Sequence, residues 1–318
     1  MNGGYIVSYE EIIKWLLEGD ISIQYQVHRD LLGSDLKTIE ALKNRILHEG
    51  WARQFLDKKE ANGHWGRGFY QPKWISSHYT LLDLKHLEVP LTEGISKTIN
   101  TILSENKSND GGIDPHREIA QSDVCVNGMF LNYACYFGVD EKGLHSVVDY
   151  IINEQMSDGG FNCRKVRSGA SHSSVHSTIA ILEGLHEYFN NGYTYRLNEL
   201  EQIRDDSERF MLEHHLYKSD KTGEVMHKSM TMLSYPSRWK YDVLRGLAFF
   251  EKAQRPYDKR MEDGIALIFK KRLKNGLWPV QAKHTGLVHF DMEQTGKASR
   301  WNTLRALRVL KMYAAEKL

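Results

Sequence analysis

The stretch "QMSDGGFNCR", residues 155–164, is repeated in outline four more times along the chain: "EANGHWGRG" at 60–68, "SNDGGIDPH" at 108–116, "KTGEVMH" at 221–227 and "LKNGLWPVQ" at 273–281. In each, a polar segment runs into a glycine followed within two residues by an aromatic or branched apolar side chain: Trp65, Ile113, Phe161, Val225 or Trp278. A glycine after a polar helical segment ends the helix, because it adopts the left-handed conformation that other residues resist.

Working outward, apolar residues recur at three- and four-residue spacing over 9–18, 22–32, 38–48, 94–106, 123–137, 141–155, 174–189, 195–213, 238–253, 258–273 and 299–315. That spacing predicts amphipathic helices, and strand-like alternation is nearly absent. After each glycine joint comes a loop and then a more apolar helix, at a period of about fifty to sixty residues, as in arrays of helical pairs. The apolar members align as "SSHYTLLDLKHL" from Ser76, "CVNGMFLNYACY" from Cys125, "SVHSTIAILEGL" from Ser174, "KYDVLRGLAFF" from Lys240 and "RWNTLRALRVL" from Arg300. They share small or polar residues at the start and leucine-rich continuations, and 22–32 makes a diverged sixth. Helices apolar on most faces demand burial on both sides, which favours a closed ring of six pairs over an open solenoid. The expectation is an all-α chain forming one domain over 1–318, with polar outer and apolar inner helices.

Composition excludes several functions. The chain has 318 residues, 41% of them hydrophobic, with 42 basic and 41 acidic side chains. Near-neutrality gives no case for nucleic acid or an anionic membrane surface and suits a small-molecule partner. No run approaches the ~18 apolar residues of a membrane span, and "MNGGYIVSYEE" lacks the pattern of a secretory signal. Cys125, Cys135 and Cys163 are an odd number, which suits a reducing, cytoplasmic compartment. There is no Walker A sequence and no glycine-rich dinucleotide fingerprint.

The repeated glycine–aromatic joint after an outer helix resembles the repeat of squalene and hopene cyclases and of protein prenyltransferase β-subunits, from about Trp15 to Leu310. The resemblance implies an α/α toroid, the (α/α)6 barrel of inner and outer helices, with an isoprenoid-like ligand in its centre. The acidic cyclase motifs D-x-D-D and D-C-T are missing, so squalene cyclisation is not expected. Prenyltransferases hold zinc with an Asp and a Cys two residues apart at one inner helix and a His at the next. By that likeness Asp123, Cys125 and His176 would be the zinc ligands, leaving one position open to activate a substrate thiol. The residues alone also permit Asp123 as a helix cap and Cys125 as a buried small apolar group. A prenyltransferase would further need a partner subunit, whose existence here is unknown.

The wall of the ring supplies the other candidates. "SRWKYDVLRGL" from Ser237 and "SRWNTLRALRVL" from Ser299 both set Ser-Arg-Trp at an inner-helix start with Leu-Arg soon after. Arg245 and Arg305 therefore need carboxylate partners, such as Asp242 or Glu293, or an anionic ligand. Beside them Trp239, Tyr241 and Trp301 offer apolar lining, so a ligand with an anionic head and an apolar body is expected. Loops from outer to inner helices gather at one end, so loops 61–77, with Trp65, and 274–298 form the mouth, Trp74 and His78 line the throat with Tyr241 and Trp301, and Arg164 is a further binding candidate. Two other readings remain open: a carbohydrate-active (α/α)6 enzyme, with Asp291 and Glu293 as catalytic carboxylates opposite Asp114 or Glu118, and a non-catalytic scaffold plugged by its own side chains.

Overall fold

The computed structural model describes residues 8–115 and 121–317. Among them the chain is helical throughout, and pairing of extended backbone is confined to isolated bridges such as Lys107 with Ile113. The helices are α1 (Tyr9–Leu17), α2 (Ile21–Gln26), α3 (Leu36–Arg45), α4 (Gly50–Leu56), α5 (Ser77–His86), α6 (Glu93–Glu105), α7 (Val124–Tyr136), α8 (Glu141–Glu154), α9 (Arg164–Ser168), α10 (Val175–Asn190), α11 (Leu197–Glu213), α12 (Val243–Lys252), α13 (Glu262–Lys271) and α14 (Arg300–Tyr313). Helix α2 continues as wider turns over Val27–Leu32 and stops at Gly33. None of the described helices is long and apolar enough to cross a membrane.

Two kinds of helix alternate. In α6 and α8 the buried residues, Ile95, Thr98, Ile99 and Ile102 or Leu144, Val147, Val148 and Ile151, form one stripe, and the opposite face is wet. In α5, α7 and α10 nearly every residue is buried, including Ser77 to Lys85 and Val126 to Cys135. The buried helices contact one another in chain order, α5 with α7, α7 with α10, α10 with α12 and α12 with α14. Helix α14 then packs on α2, and Gln26 Nε2 of α2 donates to the His86 carbonyl of α5, 3.1 Å away. The ends of the chain are tied by Arg300 Nε to the Trp15 carbonyl (3.1 Å) and Lys311 Nζ to the Leu31 carbonyl (2.9 Å).

The glycine joints explain the alternation. Gly63, Gly111, Gly159 and Gly276 all have φ between 78° and 89°, the left-handed turn that ends the outer segment. The apolar residue that follows is fully buried and donates its backbone N–H to a polar side chain near the start of the next inner helix. The pairs are Trp65 with Ser77 Oγ (3.0 Å), Ile113 with Asn127 Oδ1 (2.7 Å), Phe161 with Thr178 Oγ1 (3.0 Å) and Trp278 with Thr303 Oγ1 (3.0 Å). Trp65 and Trp278 also spend their indole N–H groups alike, on the carbonyls of Phe55 and Ile268 (2.7 and 2.8 Å). The fifth joint departs from this pattern: Val225 after Gly223 is exposed.

The closest helix pair is α7 with α10. A Cβ on Gly128 would lie 2.7 Å from the backbone of Ala180, and one on Gly184 would lie 2.6 Å from the Gly128 carbonyl. Backbones this close leave no room for even a methyl group. Gly128→Ala is expected to cost about 1–3 kcal/mol through overpacking, measured by urea unfolding; unchanged stability would mean that the two helices are further apart than described here.

Candidate functional site

The buried helices converge on a cavity of about 140 Å³ to which α2, α5, α7, α10, α12 and α14 all contribute. Its walls are charged to a degree that the leucine-rich stretches of these helices do not foreshadow. Arg245 of α12 grips Glu183 of α10 with two bonds, Nε to Oε1 at 2.8 Å and Nη2 to Oε2 at 2.7 Å, and gives Nη1 to the carbonyls of Arg238 and Lys240. Burial works to raise the Glu183 pKa, yet Arg245 outweighs it and holds the carboxyl down at about 2. Lys85 and Lys252 share Glu187, at 2.9 and 2.6 Å. Burial again opposes ionisation of Glu187, and the two ammonium groups reverse it. Arg308 bridges Asp30 and Glu251 (3.0 and 2.8 Å), and Arg29 and Lys43 meet on Glu88 (3.1 and 3.4 Å).

Arg305 stands outside this pairing. It lines the cavity, makes no ion pair among the described residues, and reaches only Asn302 Oδ1 at 3.5 Å. Burial lowers its pKa, and the opposing pull of Asp242 and Glu183 does not reverse the shift. Two further cavity residues have unused polar atoms: both amide atoms of Asn132 and the indole nitrogen of Trp301 are buried with no hydrogen-bond partner. The Trp301 ring is fixed by stacking on Tyr235, with centroids 5.0 Å apart and planes at 17°. A buried donor left unpaired costs free energy, so these groups point to a polar occupant.

Tyr235 also lines a second, smaller pocket of about 20 Å³ formed by the loop 283–295 with Trp74 and Arg238. Arg238 is 5% exposed, lies 4.6 Å over the Trp74 ring, and leaves Nε and Nη1 without partners. Asp83, buried on α5, is raised to about 6 by its burial, against the pull of Arg238.

The residues anticipated from sequence are distributed as follows. Arg245, Trp301 and Arg305 line the main cavity. Arg245 is consumed by Glu183 rather than by Asp242 or Glu293, since Asp242 caps its own helix through the Arg245 backbone N–H (3.0 Å). Trp74, Asp291 and Glu293 line the smaller pocket, where Asp291 pairs with Lys283 at 2.5 Å and Glu293 accepts from Trp301 N at 3.1 Å. Asp114 lines neither, and Glu118 lies outside the described residues. Trp65 is fully buried in its joint, and Arg164 is exposed at the start of α9. His78 is buried against Tyr133 Oη (Nδ1 at 3.3 Å). Trp239 and Tyr241 pack on His176, with ring centroids at 5.7 and 6.3 Å.

Of the three residues of the zinc expectation, Asp123 and Cys125 both lie near Tyr70 and Cys163. His176 Nδ1 accepts the backbone N–H of Tyr241 at 2.9 Å. Cys125 donates its backbone N–H to the Cys163 sulfur at 3.2 Å, and Asp123 precedes α7 without capping it through its side chain. Among the described residues no group of three His, Cys, Asp or Glu side chains is gathered to hold a metal.

Sequence reasoning did not single out Lys85, Asn132, Glu183, Glu187 and Lys252. Their signal is a charged or amide residue deep inside an otherwise apolar helix, as in "LLDLKHL" and "AILEGLHEYF". No family model matches the chain, and no curated protein matches it.

Burial also fixes how the molecule responds to acid. It holds His78 and His86 down at about 3, and His176 at about 4, from an ordinary 6.5. The unfolded chain therefore takes up protons below pH 6.5 that the folded chain refuses. Their contribution is complete above that value and is lost as pH falls toward 4. Unfolding free energy should decline by about 1 kcal/mol per pH unit for each buried histidine below pH 6.5. Denaturant titrations between pH 7.5 and 5 test this, and a flat profile would mean that these imidazoles titrate normally.

Proposed function

We propose that the six buried helices close into an α/α toroid, the (α/α)6 barrel that the sequence resembles, and that its central cavity binds a small molecule with an anionic head and a short apolar body. The observation that carries this reading is Arg305, a cavity-lining cation that contacts no carboxylate among the described residues, whereas Arg29, Lys85, Arg245, Lys252 and Arg308 of the same wall each contact at least one. A phosphate or carboxylate would supply the missing charge through charge-assisted bonds of about 1.5–3 kcal/mol each. Asn132 and Trp301 would contribute further donors, with Tyr235 and Phe249 as the apolar wall.

Size limits the ligand. A cavity of about 140 Å³ matches the ~150 Å³ that accommodates benzene in another protein. It therefore suits a body of about one five-carbon unit rather than a squalene-length chain. A cytoplasmic location, favoured by the odd cysteine count, belongs to the same proposal.

Arg305→Met separates stability from binding. Removing an unpaired cation from a low-dielectric site should stabilise the ligand-free protein by about 1–3 kcal/mol. The native chain should gain about 2.7 kcal/mol at a hundredfold excess of isopentenyl diphosphate or inorganic pyrophosphate over Kd, and the variant should gain nothing. Thermal melts with and without these anions check both. Equal shifts in native and variant protein, or none in either, would contradict the proposal.

A further inference from the structure

We propose that Lys252 is a Schiff-base lysine whose amine condenses with the carbonyl of a small oxo acid, the acid group being held by Arg305. This rests on the anion-binding reading of the cavity and narrows its ligand to a class.

The argument begins with charge. Lys85 and Lys252 lie within 2.9 Å of one carboxylate, Glu187, and a single carboxylate neutralises only one ammonium. The neighbouring acids are already committed: Glu183 to Arg245, Glu88 to Arg29 and Lys43, and Asp30 and Glu251 to Arg308. Loss of a proton from one of the two lysines removes the uncompensated charge and leaves a neutral pair behind.

Lys252 is the one placed to lose it. Both lysines line the cavity, but the Lys85 side chain is 8% exposed and that of Lys252 38% exposed. Burial and then the Lys85 ammonium bring Lys252 down to about 8. Both effects raise its share of free amine above that of an ordinary lysine. A second cationic group beside a desolvated lysine is a general way of activating an amine nucleophile.

The same cavity supplies what a carbonyl substrate needs. Arg305 meets the carboxylate, and the unpartnered Asn132 amide can donate a second bond. In the condensation the Lys252 nitrogen forms the C–N bond, and the carbonyl C–O bond breaks. The oxygen leaves as water, with both of its protons drawn from the amine, and one further proton taken up from solvent converts the neutral imine into the iminium. No electrons are exchanged with a third party. Glu187, 2.6 Å from Nζ, is placed to receive and return the transferred proton and then to face the resulting iminium.

The test uses the full chain with glyoxylate and sodium cyanoborohydride at neutral pH, read by intact mass and peptide mapping. A single reduced adduct on Lys252 is expected. Its formation should be about tenfold slower in Arg305→Met, the scale of one lost charge-assisted bond. Reaction of Lys252 with uncharged acetaldehyde should be unchanged in that variant. An unmodified Lys252, or labelling spread over exposed lysines at equal rates, overturns the inference. If pyrophosphate still stabilises the protein through Arg305 while no Lys252 adduct forms, the imine is excluded and anion binding stands. If neither effect occurs, both readings fall.

Discussion

The interaction on which the rest depends is a backbone one. After each regular glycine joint, the buried N–H of Trp65, Ile113, Phe161 or Trp278 is accepted by Ser77, Asn127, Thr178 or Thr303. An unpaired buried amide would be costly, so the hydroxyl or carboxamide at the start of the inner helix is required by the joint itself. The bond fastens the end of one outer segment to the beginning of the next inner helix. Four helices, α5, α7, α10 and α14, enter in the same way, and all four contribute side chains to the cavity. The irregular joint near Gly223 marks where the pattern is broken, and the long segment after it carries Tyr235 and Arg238 to the cavities.

The second constraint is electrostatic. Apolar side chains alone could fill the space between these helices, yet they bury carboxylates and cations in pairs, an arrangement that rarely adds stability over a hydrophobic alternative. Two arginines that the sequence presents as equivalents show the difference between structure and site. Arg245 has every part of its guanidinium engaged, with Glu183 and two carbonyls. Arg305, in the matching Leu-Arg of the next repeat, has only Asn302 at the limit of a hydrogen bond. The first holds two helices together, and the second makes no ion pair among the described residues.

How much of this was legible follows from range. Helical spacing, the glycine joints and the polar starts of the inner helices are local features, and they appear in the sequence with the boundaries the structure gives to within a few residues. Partners across the ring leave no local trace. Glu183 is separated from Arg245 by 62 positions, and nothing in "AILEGL" marks which of several arginines it will meet. Asn132 is hidden inside "FLNYACYF", where its neighbours advertise only burial. Likewise His176 opens an inner helix as the motif suggests, but its ring nitrogen is taken by the amide of Tyr241, a residue brought there by a different helix.

The most direct test of the central claim, that Arg305 is held unpaired for an anion, is a crystal structure of the protein grown with inorganic pyrophosphate. Density in the cavity contacting the Arg305 guanidinium and the Asn132 amide, with the Arg245–Glu183 pair intact, is the predicted result. Arg305 turned onto a protein carboxylate, with the anion elsewhere or absent, would contradict it.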